Sequence, residues 1–256
     1  IKNRNMKTTK IILGLALAFS IYSCSKDDNN NFVSSEDAKT SAKIDAMNDD
    51  VSSLVEEQEA NTYSDAISGK VADAAFSQLT TCATITRVPA PGTAPTVGQT
   101  VTKTIDFGTG CTLNSGNVVS GKIIISFEFQ PQATSHTINY SFVNFFHNGI
   151  EFNGDKTFTR IMISTTANPI LHPQVTMTID MTATLPDGRV YTRVGTRVRE
   201  IVEGYGNEII TDNVYKVTGS WVTTTPTGAS QTSTITTPLI IKMSCLVVNN
   251  PLIVSG

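Results

Sequence analysis

The chain has 256 residues, with 19 basic and 22 acidic side chains and a formal net charge of −3. This length is enough for one large domain or two smaller ones, and a hydrophobic core can form at this size. The weakly acidic balance excludes the strongly basic surface with which proteins bind nucleic-acid phosphates, so we expect no nucleic-acid partner.

Residues 1–23 contain a short upstream extension and a predicted signal peptide. The first methionine is Met6, and Lys7 and Lys10 form a positively charged region after it. The apolar run Ile11–Ile21 that follows is shorter than the roughly 20 residues needed to span a bilayer. Cleavage after this run leaves 15 basic residues against 22 acidic ones, a net charge of −7 for the mature chain.

The segment Ile21–Cys24, with the sequence Ile-Tyr-Ser-Cys, resembles the lipobox of bacterial lipoproteins. In that family the cysteine sulfur receives a diacylglycerol and the freed amine receives a third acyl chain, which implies that Cys24 is lipidated. Two or more acyl chains hold a protein stably on a membrane, since each buried methylene contributes roughly 0.8 kcal/mol. The alternative is ordinary secretion, with Cys24 an incidental thiol.

A charged and asparagine-rich tether is assigned to residues 24–33. Within it, Lys26, Asp27 and Asp28 stand directly behind the cysteine and are similar to the export signal of Bacteroidetes surface lipoproteins. The resemblance implies an outer-membrane lipoprotein that is anchored by its N-terminal lipid and faces outward. A location on the periplasmic face is the alternative, because any short charged tether keeps a domain off the membrane.

Residues 34–79 are predicted to be a helical region. Ser34, with Asp37 three residues later, forms a capping-box pattern, and an apolar stripe then predicts a helix to about Gln58. A second short helix is predicted over Asp65–Leu79. Fewer than four clean heptads are present, so we expect packing against the domain or a stalk rather than a partner-binding coiled coil. The stripe consists of Ile44, Met47, Val51, Leu54 and Val55.

From Thr80 the composition changes to Thr, Val, Ile and Gly, and a β domain is predicted over residues 80–256. Asn148-Gly149 and Asn153-Gly154 are both predicted to be turns, because they accept the positive φ angles of hairpins. The fold class is therefore all-β, an antiparallel meander that forms a β-sandwich or a strongly curved sheet. The predicted strands are Thr81–Val88, Gln99–Phe107, Val118–Phe129, His136–Phe146, Gln174–Leu185, Val190–Val202, Ile209–Thr223 and Ser230–Ile241.

The clearest hairpin runs from Gln174 to Val202, where apolar and polar residues alternate on both strands. Asp187-Gly188 predicts a two-residue loop, which would pair Met181 with Val194 and place the valines in the core. The opposite face is then expected to be exposed to solvent and to carry threonines beside a candidate ligand surface. That candidate surface consists of Tyr191, Arg193, Arg197 and Arg199.

Five segments of the β domain, taken together, resemble a group of Thr-rich Bacteroidetes lipoproteins of unknown function. They are Ile105–Cys111 (Ile-Asp-Phe-Gly-Thr-Gly-Cys), Ser120–Ile125 (Ser-Gly-Lys-Ile-Ile-Ile), Leu185–Gly188, Glu203–Gly206 and Ile235–Leu239. The resemblance covers about residues 80–256 and implies an envelope location and this fold, but no activity. Members of the group continue beyond this chain, and Pro251–Gly256 ends inside a strand-like run, so we expect a C-terminally truncated chain.

The cysteine count fits an oxidising envelope. With Cys24 acylated, Cys82, Cys111 and Cys245 remain, an odd number that allows at most one disulfide. We favour Cys82 with Cys111, because each lies at the outer end of one of two strands joined by loop 89–98. Closing a loop of about 30 residues stabilises a protein by roughly 3–4 kcal/mol on the chain-entropy model. The alternative is that all three are small buried side chains.

We expect no catalytic site, no cofactor and no metal site. His136, His147 and His172 each lack a second histidine or an acid at ligand spacing, and all three are predicted to lie on the surface. Glu200 and Glu203 are the best candidates in the sequence for the pair of carboxylates that a glycoside hydrolase needs. In a strand, however, their side chains would point to opposite faces.

Three functions stay open. A non-catalytic structural or interaction module on the outer membrane, with an unknown protein or glycan partner, requires nothing that the sequence lacks. A glycan-binding lipoprotein is the alternative, because aromatic residues of the β domain could stack on sugar rings. An envelope hydrolase that uses one of the two glutamates is the third. The aromatic residues are Tyr191, Tyr205, Tyr215 and Trp221.

Overall fold

A computed structural model describes residues 33–68, 79–166, 168–206, 212–247 and 253–256. The predicted signal peptide, Cys24 and the export-type signal 26–28 lie outside these ranges. The secondary structure consists of α1 (Ser35–Ser68), β1 (Thr84–Val88), β2 (Thr100–Asp106), β3 (Cys111–Thr112), β4 (Val118–Glu128), β5 (Ser135–His147), β6 (Ile150–Ile163), β7 (His172–Thr184), β8 (Val190–Glu203), β9 (Val214–Thr224), β10 (Ser230–Thr234), β11 (Leu239–Lys242), α2 (Ser244–Val247) and β12 (Ile253–Ser255).

The strands form one open antiparallel sheet, in which they follow one another in the order β1-β2-β4-β5-β6-β7-β8-β9-β11-β12. The short strand β3 continues β2 along the edge of β4, and β10 and β11 pair with successive parts of β9. The predicted all-β antiparallel meander is confirmed. Of the two predicted architectures, the structure has the single curved sheet and not the sandwich.

Strand β6 was missed by the sequence analysis, which placed a turn at Asn153-Gly154. Both residues lie inside β6, and Gly154 has a φ of 122°. A Cβ atom on Gly154 would lie 2.4 Å from the backbone oxygen of Asp180 on β7, so the glycine allows close approach of two strands. Asn148-Gly149 does form the predicted turn between β5 and β6, with φ angles of 48° and 79°.

Helix α1 begins at the predicted capping box. The backbone amide of Asp37 donates to Ser34 Oγ at 3.0 Å, and the amide of Ser34 donates to Asp37 Oδ2 at 3.0 Å. The helix then continues beyond the predicted end at Gln58, because no proline or glycine interrupts the sequence before Ser68. The start of the second predicted helix therefore belongs to α1, and residues 69–78 lie outside the described ranges.

Helix and sheet share one hydrophobic core. All five residues of the predicted apolar stripe are buried in the same cluster as the inner side chains of the strands, so α1 packs against the sheet and is not a separate stalk. The strand members of this core include Val101, Ile123, Ile125, Tyr140, Phe145, Phe152, Phe158 and Ile179. Among the described residues, no helix has the length and apolar character needed to cross a membrane.

The two ends of the sheet differ in their loops. At the end where α1 begins, Asp37 contacts Tyr191 at the start of β8, and the connections β3–β4, β5–β6, β7–β8 and β9–β10 contain two to five residues. At the other end, Tyr63 near the C-terminal end of α1 contacts Gln130 after β4. The connections there (β1–β2, β4–β5, β6–β7 and β8–β9) contain six to eleven residues. We call these the proximal end and the distal end.

Candidate functional site

The β7–β8 hairpin has a register that differs by one residue from the predicted one. Met181 pairs with Arg193 and not with Val194. The loop contains the three residues Pro186–Gly188 because Leu185 and Arg189 close it with a backbone hydrogen bond of 2.9 Å. Since a one-residue shift exchanges the two faces of a strand, the arginines of β8 point into the core and the valines point outward. The prediction of a solvent-facing ligand surface is therefore wrong.

The side chains of that predicted surface bind helix α1. Tyr191 and Arg193 are only 1% and 2% exposed, and the hydroxyl of Tyr191 donates to Asp37 Oδ1 at 2.7 Å. The guanidinium of Arg193 also donates to Ser41 Oγ at 2.6 Å. The ion pairs along the helix join Arg193 to Asp45, Arg197 to Asp45 and Asp49, and Arg199 to Glu56.

Of the ion pairs between α1 and β8, the one between Arg193 and Asp45 is the most buried, with side chains that are 2% and 23% exposed. Burial raises the pKa of Asp45, although the nearby Arg193 and Arg197 oppose the rise. Burial likewise lowers the pKa of Arg193, although Asp45 opposes the fall. Because the cost of desolvation offsets much of the attraction, such pairs contribute more to the choice of packing than to net stability. Arg193 therefore positions α1 on the sheet and is not available to an external ligand, while Arg197 and Arg199 are partly buried and already paired with acids of α1.

The prediction that the histidines lie on the surface is also wrong. His147 and His172 are buried, His136 is partly buried, and each binds a carboxylate. The partners are Glu59 for His136, Asp50 for His147 and Glu200 for His172. Two of these partners come from α1, 77 and 97 residues away in the chain, so no local spacing could have indicated them.

Glu200 has a structural environment. Its carboxylate accepts hydrogen bonds from Lys216 Nζ at 3.0 Å and from the ring of His172 at 3.2 Å. Burial raises the pKa of Glu200, but these hydrogen bonds outweigh burial and leave the pKa below its ordinary value. Glu203 is exposed at the end of β8, beyond a register irregularity. The two glutamates thus have separate surroundings.

Lys156 of β6 is a functional candidate that sequence analysis missed. It is 1% exposed, its amine binds Asn48 Oδ1 of α1, and it lies 5.8 Å and 5.7 Å from the ring centroids of Tyr140 and Phe142. Burial lowers its pKa from 10.5 to about 7. The signal in the sequence was its position, two residues before Phe158, which places both on the inner face of one strand.

The aromatic residues considered for sugar stacking do not form one surface. Tyr191 and Trp221 are buried, and Tyr215 lies 5.0 Å from the guanidinium of Arg199. Tyr205, in the β8–β9 loop, is the only one of the four that is exposed. The aromatic platform expected of a stacking site is therefore not assembled from these residues.

A polar groove lies at the distal end, on the outer face of β2, β4 and β5, with a volume of about 420 Å³. Phe127 and His136 also border it, but the other lining positions of the strands alternate with the buried residues Val101, Phe127 and Ile138, which identifies the outer face. We call it the distal groove. Its polar lining includes Thr100, Ser126, Glu128, Ser135, Thr137 and Asn139.

The C-terminal part of α1 supports the distal groove from the inside. The ring of His136, a lining residue, binds Glu59, and the amide of Gln130 donates to the hydroxyl of Tyr63 at 3.2 Å. The rings of Tyr63 and Phe129 are stacked with centroids 4.9 Å apart. The groove combines residues from three strands and a loop, which is why no single stretch of sequence indicated it.

The disulfide favoured by the sequence analysis is present. Cys82 and Cys111 are joined, with their Cα atoms 5.5 Å apart, and Cys245 is a free thiol. The bridge ties the segment before β1 to β3. Among the described residues, no three His, Cys, Asp or Glu side chains are grouped so that they could hold a metal ion.

Comparison with known proteins gives no family for this chain. No protein-family model matches it, and no curated protein or solved structure is significantly similar to it. The resemblance to the Bacteroidetes lipoprotein group thus stays a prediction from the sequence.

Proposed function

We propose that this chain is an outer-membrane lipoprotein that faces outward and acts as a non-catalytic interaction module. The observation that carries the proposal is the order of the N-terminal signals, in which the lipobox-like Ile21–Cys24 directly precedes the export-type residues 26–28. A lipidated cysteine would be a sufficient anchor without any membrane-spanning helix.

The arrangement of α1 on the sheet supports this proposal. Helix α1 begins at Ser35, eleven residues after Cys24, and ten intervening residues reach at most roughly 33–36 Å. The proximal end, with its tight turns, would therefore lie on the membrane side. The distal end would point away from the membrane, and its longer loops are the part of the sheet best suited to contact a partner.

The surroundings of the glutamates favour an interaction module over a hydrolase. Glu200 is held by His172 and Lys216, and its lowered pKa suits a permanent carboxylate and not a general acid. Glu203 lies in a different, exposed environment. This pattern supports a structural role for Glu200.

The test combines lipid labelling with protease accessibility on intact cells. Cells expressing the wild type, Cys24→Ala, and a variant with Lys26, Asp27 and Asp28 replaced by Ala are grown with a clickable palmitate analogue and then treated with protease. We expect the wild type to be labelled and cleaved. Cys24→Ala should be unlabelled, and the triple variant should be labelled but protected.

Two outcomes would contradict the proposal. A wild type without label would rule out the lipid anchor. A labelled wild type that is cleaved only in lysed cells would place the protein on the periplasmic face, and its partners would then be sought within the envelope.

A further inference from the structure

We propose that the distal groove is a binding site for the hydroxyl groups of a neutral glycan. The proposal names a ligand class for the interaction module and rests on that function for its biological setting. The groove would hold part of a sugar chain against the outer face of β2, β4 and β5, at the end of the sheet far from the predicted anchor.

The size and position of the groove suit a small part of a larger ligand. Its volume of about 420 Å³ falls within the range of roughly 300–1,000 Å³ that is typical of small-ligand sites. It is open to solvent along the sheet, so a polymer could pass through it and leave only one segment in contact. Two of its lining residues adjoin distal loops, since Thr100 directly follows the β1–β2 loop and Gln130 lies in the β4–β5 loop.

The lining offers hydrogen bonds of both kinds. The hydroxyls of Thr100, Ser126, Ser135 and Thr137 make no hydrogen bond to other side chains within the described part of the chain, and each is both a donor and an acceptor. Asn139 Oδ1 accepts a hydrogen bond from the hydroxyl of Thr157. The two protons on the side-chain nitrogen of Asn139 take no part in this bond. A sugar hydroxyl is also both donor and acceptor, so a polyhydroxylated ligand matches this lining.

The charge of the groove selects against other ligands. Among the described residues that line the groove, Glu128 is the carboxylate and none is a lysine or an arginine, so phosphate groups and uronic acids would meet repulsion from Glu128. An apolar ligand would leave the hydroxyls without partners, which is costly for buried polar groups. A neutral polyol can donate to the carboxylate of Glu128 and exchange hydrogen bonds with the hydroxyls around it.

Several lining groups are held in place before any ligand arrives. The side-chain amide of Gln130 donates to Glu128 Oε2 at 2.7 Å, and its backbone amide donates to Tyr63 of α1. His136 is held by Glu59. Because these groups are ordered in the free protein, binding would cost less conformational entropy. The ring of Phe127, the aromatic side chain that borders the groove, is buried in the core. Recognition would therefore rely on hydrogen bonds without ring stacking, and we expect binding at a single site to be weak.

The experiment uses the full chain purified from whole cells lysed in detergent, which recovers it with or without a lipid anchor, and captured on beads so that weak sites act together. The beads are applied to an array of neutral polysaccharides (mannan, glucan, galactan and xylan) and acidic ones (chondroitin sulfate and polygalacturonate). We expect binding to at least one neutral polysaccharide. Glu128→Ala and Thr137→Val should each reduce that signal at least tenfold.

Matched controls separate the groove from the rest of the outer face. Thr178→Val and Thr196→Val change the same kind of exposed residue on β7 and β8, outside the groove, and should leave binding unchanged. Each variant is first compared with the wild type by thermal unfolding. If Glu128→Ala is misfolded, Glu128→Gln is used in its place.

Three results would overturn the proposal: no binding to a neutral polysaccharide, binding to acidic ones alone, or binding that the groove variants leave intact. Because the assay measures purified protein, it gives an answer whether or not the lipidation experiment succeeds. If the wild type is lipidated and exposed but binds no neutral glycan, the proposed interaction module stands and neutral glycans are ruled out as its ligand.

Discussion

Replacing Lys156 with methionine should stabilise the protein at neutral and acidic pH. The amine lies in the interior between β6 and α1, where burial is the main cause of its lowered pKa. Arg193 and Arg197 also lower that pKa, whereas Asp49 and Asp45 of α1 raise it without compensating fully. Methionine keeps a similar unbranched shape and carries no charge, so the substitution removes the cost of burying the ammonium group.

The expected magnitude follows from the pKa. A fall from 10.5 in the unfolded chain to about 7 in the folded protein corresponds to about 5 kcal/mol of lost stability below pH 7. Methionine also leaves Asn48 Oδ1 without its partner, which costs about 1–3 kcal/mol. Lys156→Met should therefore be more stable than the wild type by about 2–4 kcal/mol at pH 6.

The sign of the pH dependence is fixed by which state holds the proton. Between about pH 7 and pH 10.5 the unfolded chain retains the proton on Lys156 and the folded protein has lost it, so wild-type stability rises with pH in this window. The advantage of Lys156→Met should shrink over the same window. Near pH 10.5 it should reverse, since only the missing hydrogen bond to Asn48 then remains.

Urea unfolding at pH 6, 8 and 10 measures this difference for the two proteins side by side. Lys122→Met is the matched control, because Lys122 is exposed and pairs with Asp106 on the surface. Its effect on the free energy of unfolding should stay below about 1 kcal/mol. A Lys156→Met protein that is less stable at pH 6, or whose difference from wild type is constant with pH, would refute the reasoning.

Two further substitutions test the packing of the sheet. Arg193→Ala leaves Asp45 without its main partner and should destabilise the protein by about 3–5 kcal/mol in urea unfolding, whereas the exposed Arg189→Ala should leave the midpoint unchanged. A small effect of Arg193→Ala would mean that α1 is not held by these pairs. Gly195→Ala places a Cβ 2.4 Å from a backbone oxygen of β9 and should cost about 1–3 kcal/mol or more, while Gly110→Ala has open space and should be close to neutral. Equal thermal midpoints for the two glycine variants would contradict this account of the β8–β9 packing.

Local patterns in the sequence determined the helix and most of the strands. The capping box of Ser34 and Asp37 and the apolar stripe that follows specify where α1 begins and which side is buried, because both act within a few residues. Alternation specified strands such as β7, and the positions of Cys82 and Cys111 on a predicted hairpin indicated the disulfide. These features need no knowledge of distant parts of the chain.

The end of α1 was harder to predict for a different reason. Gln58 was taken as the end of the helix because the apolar stripe stops there, but the polar residues that follow are also buried. Glu59 and Thr62 are examples, and Glu59 has its partner in His136 on β5. A hydrophobicity pattern predicts that polar residues of this kind are exposed. Only the folded sheet provides the partners that allow them to be buried.

The hydrophobic pattern of the chain determined that it forms an antiparallel sheet with a helix before it, but only the tertiary structure decided which face of β8 is inside. Valines and arginines alternate along this strand, and hydrophobicity alone assigned the valines to the core. Helix α1 offers Asp45, Asp49 and Glu56 as partners, so Arg193 is buried and Arg197 and Arg199 are partly buried on the side of the helix, while Val194 is 56% exposed. A three-residue loop and acids more than 140 residues away set this register together, and neither is contained in the period-2 pattern of the strand.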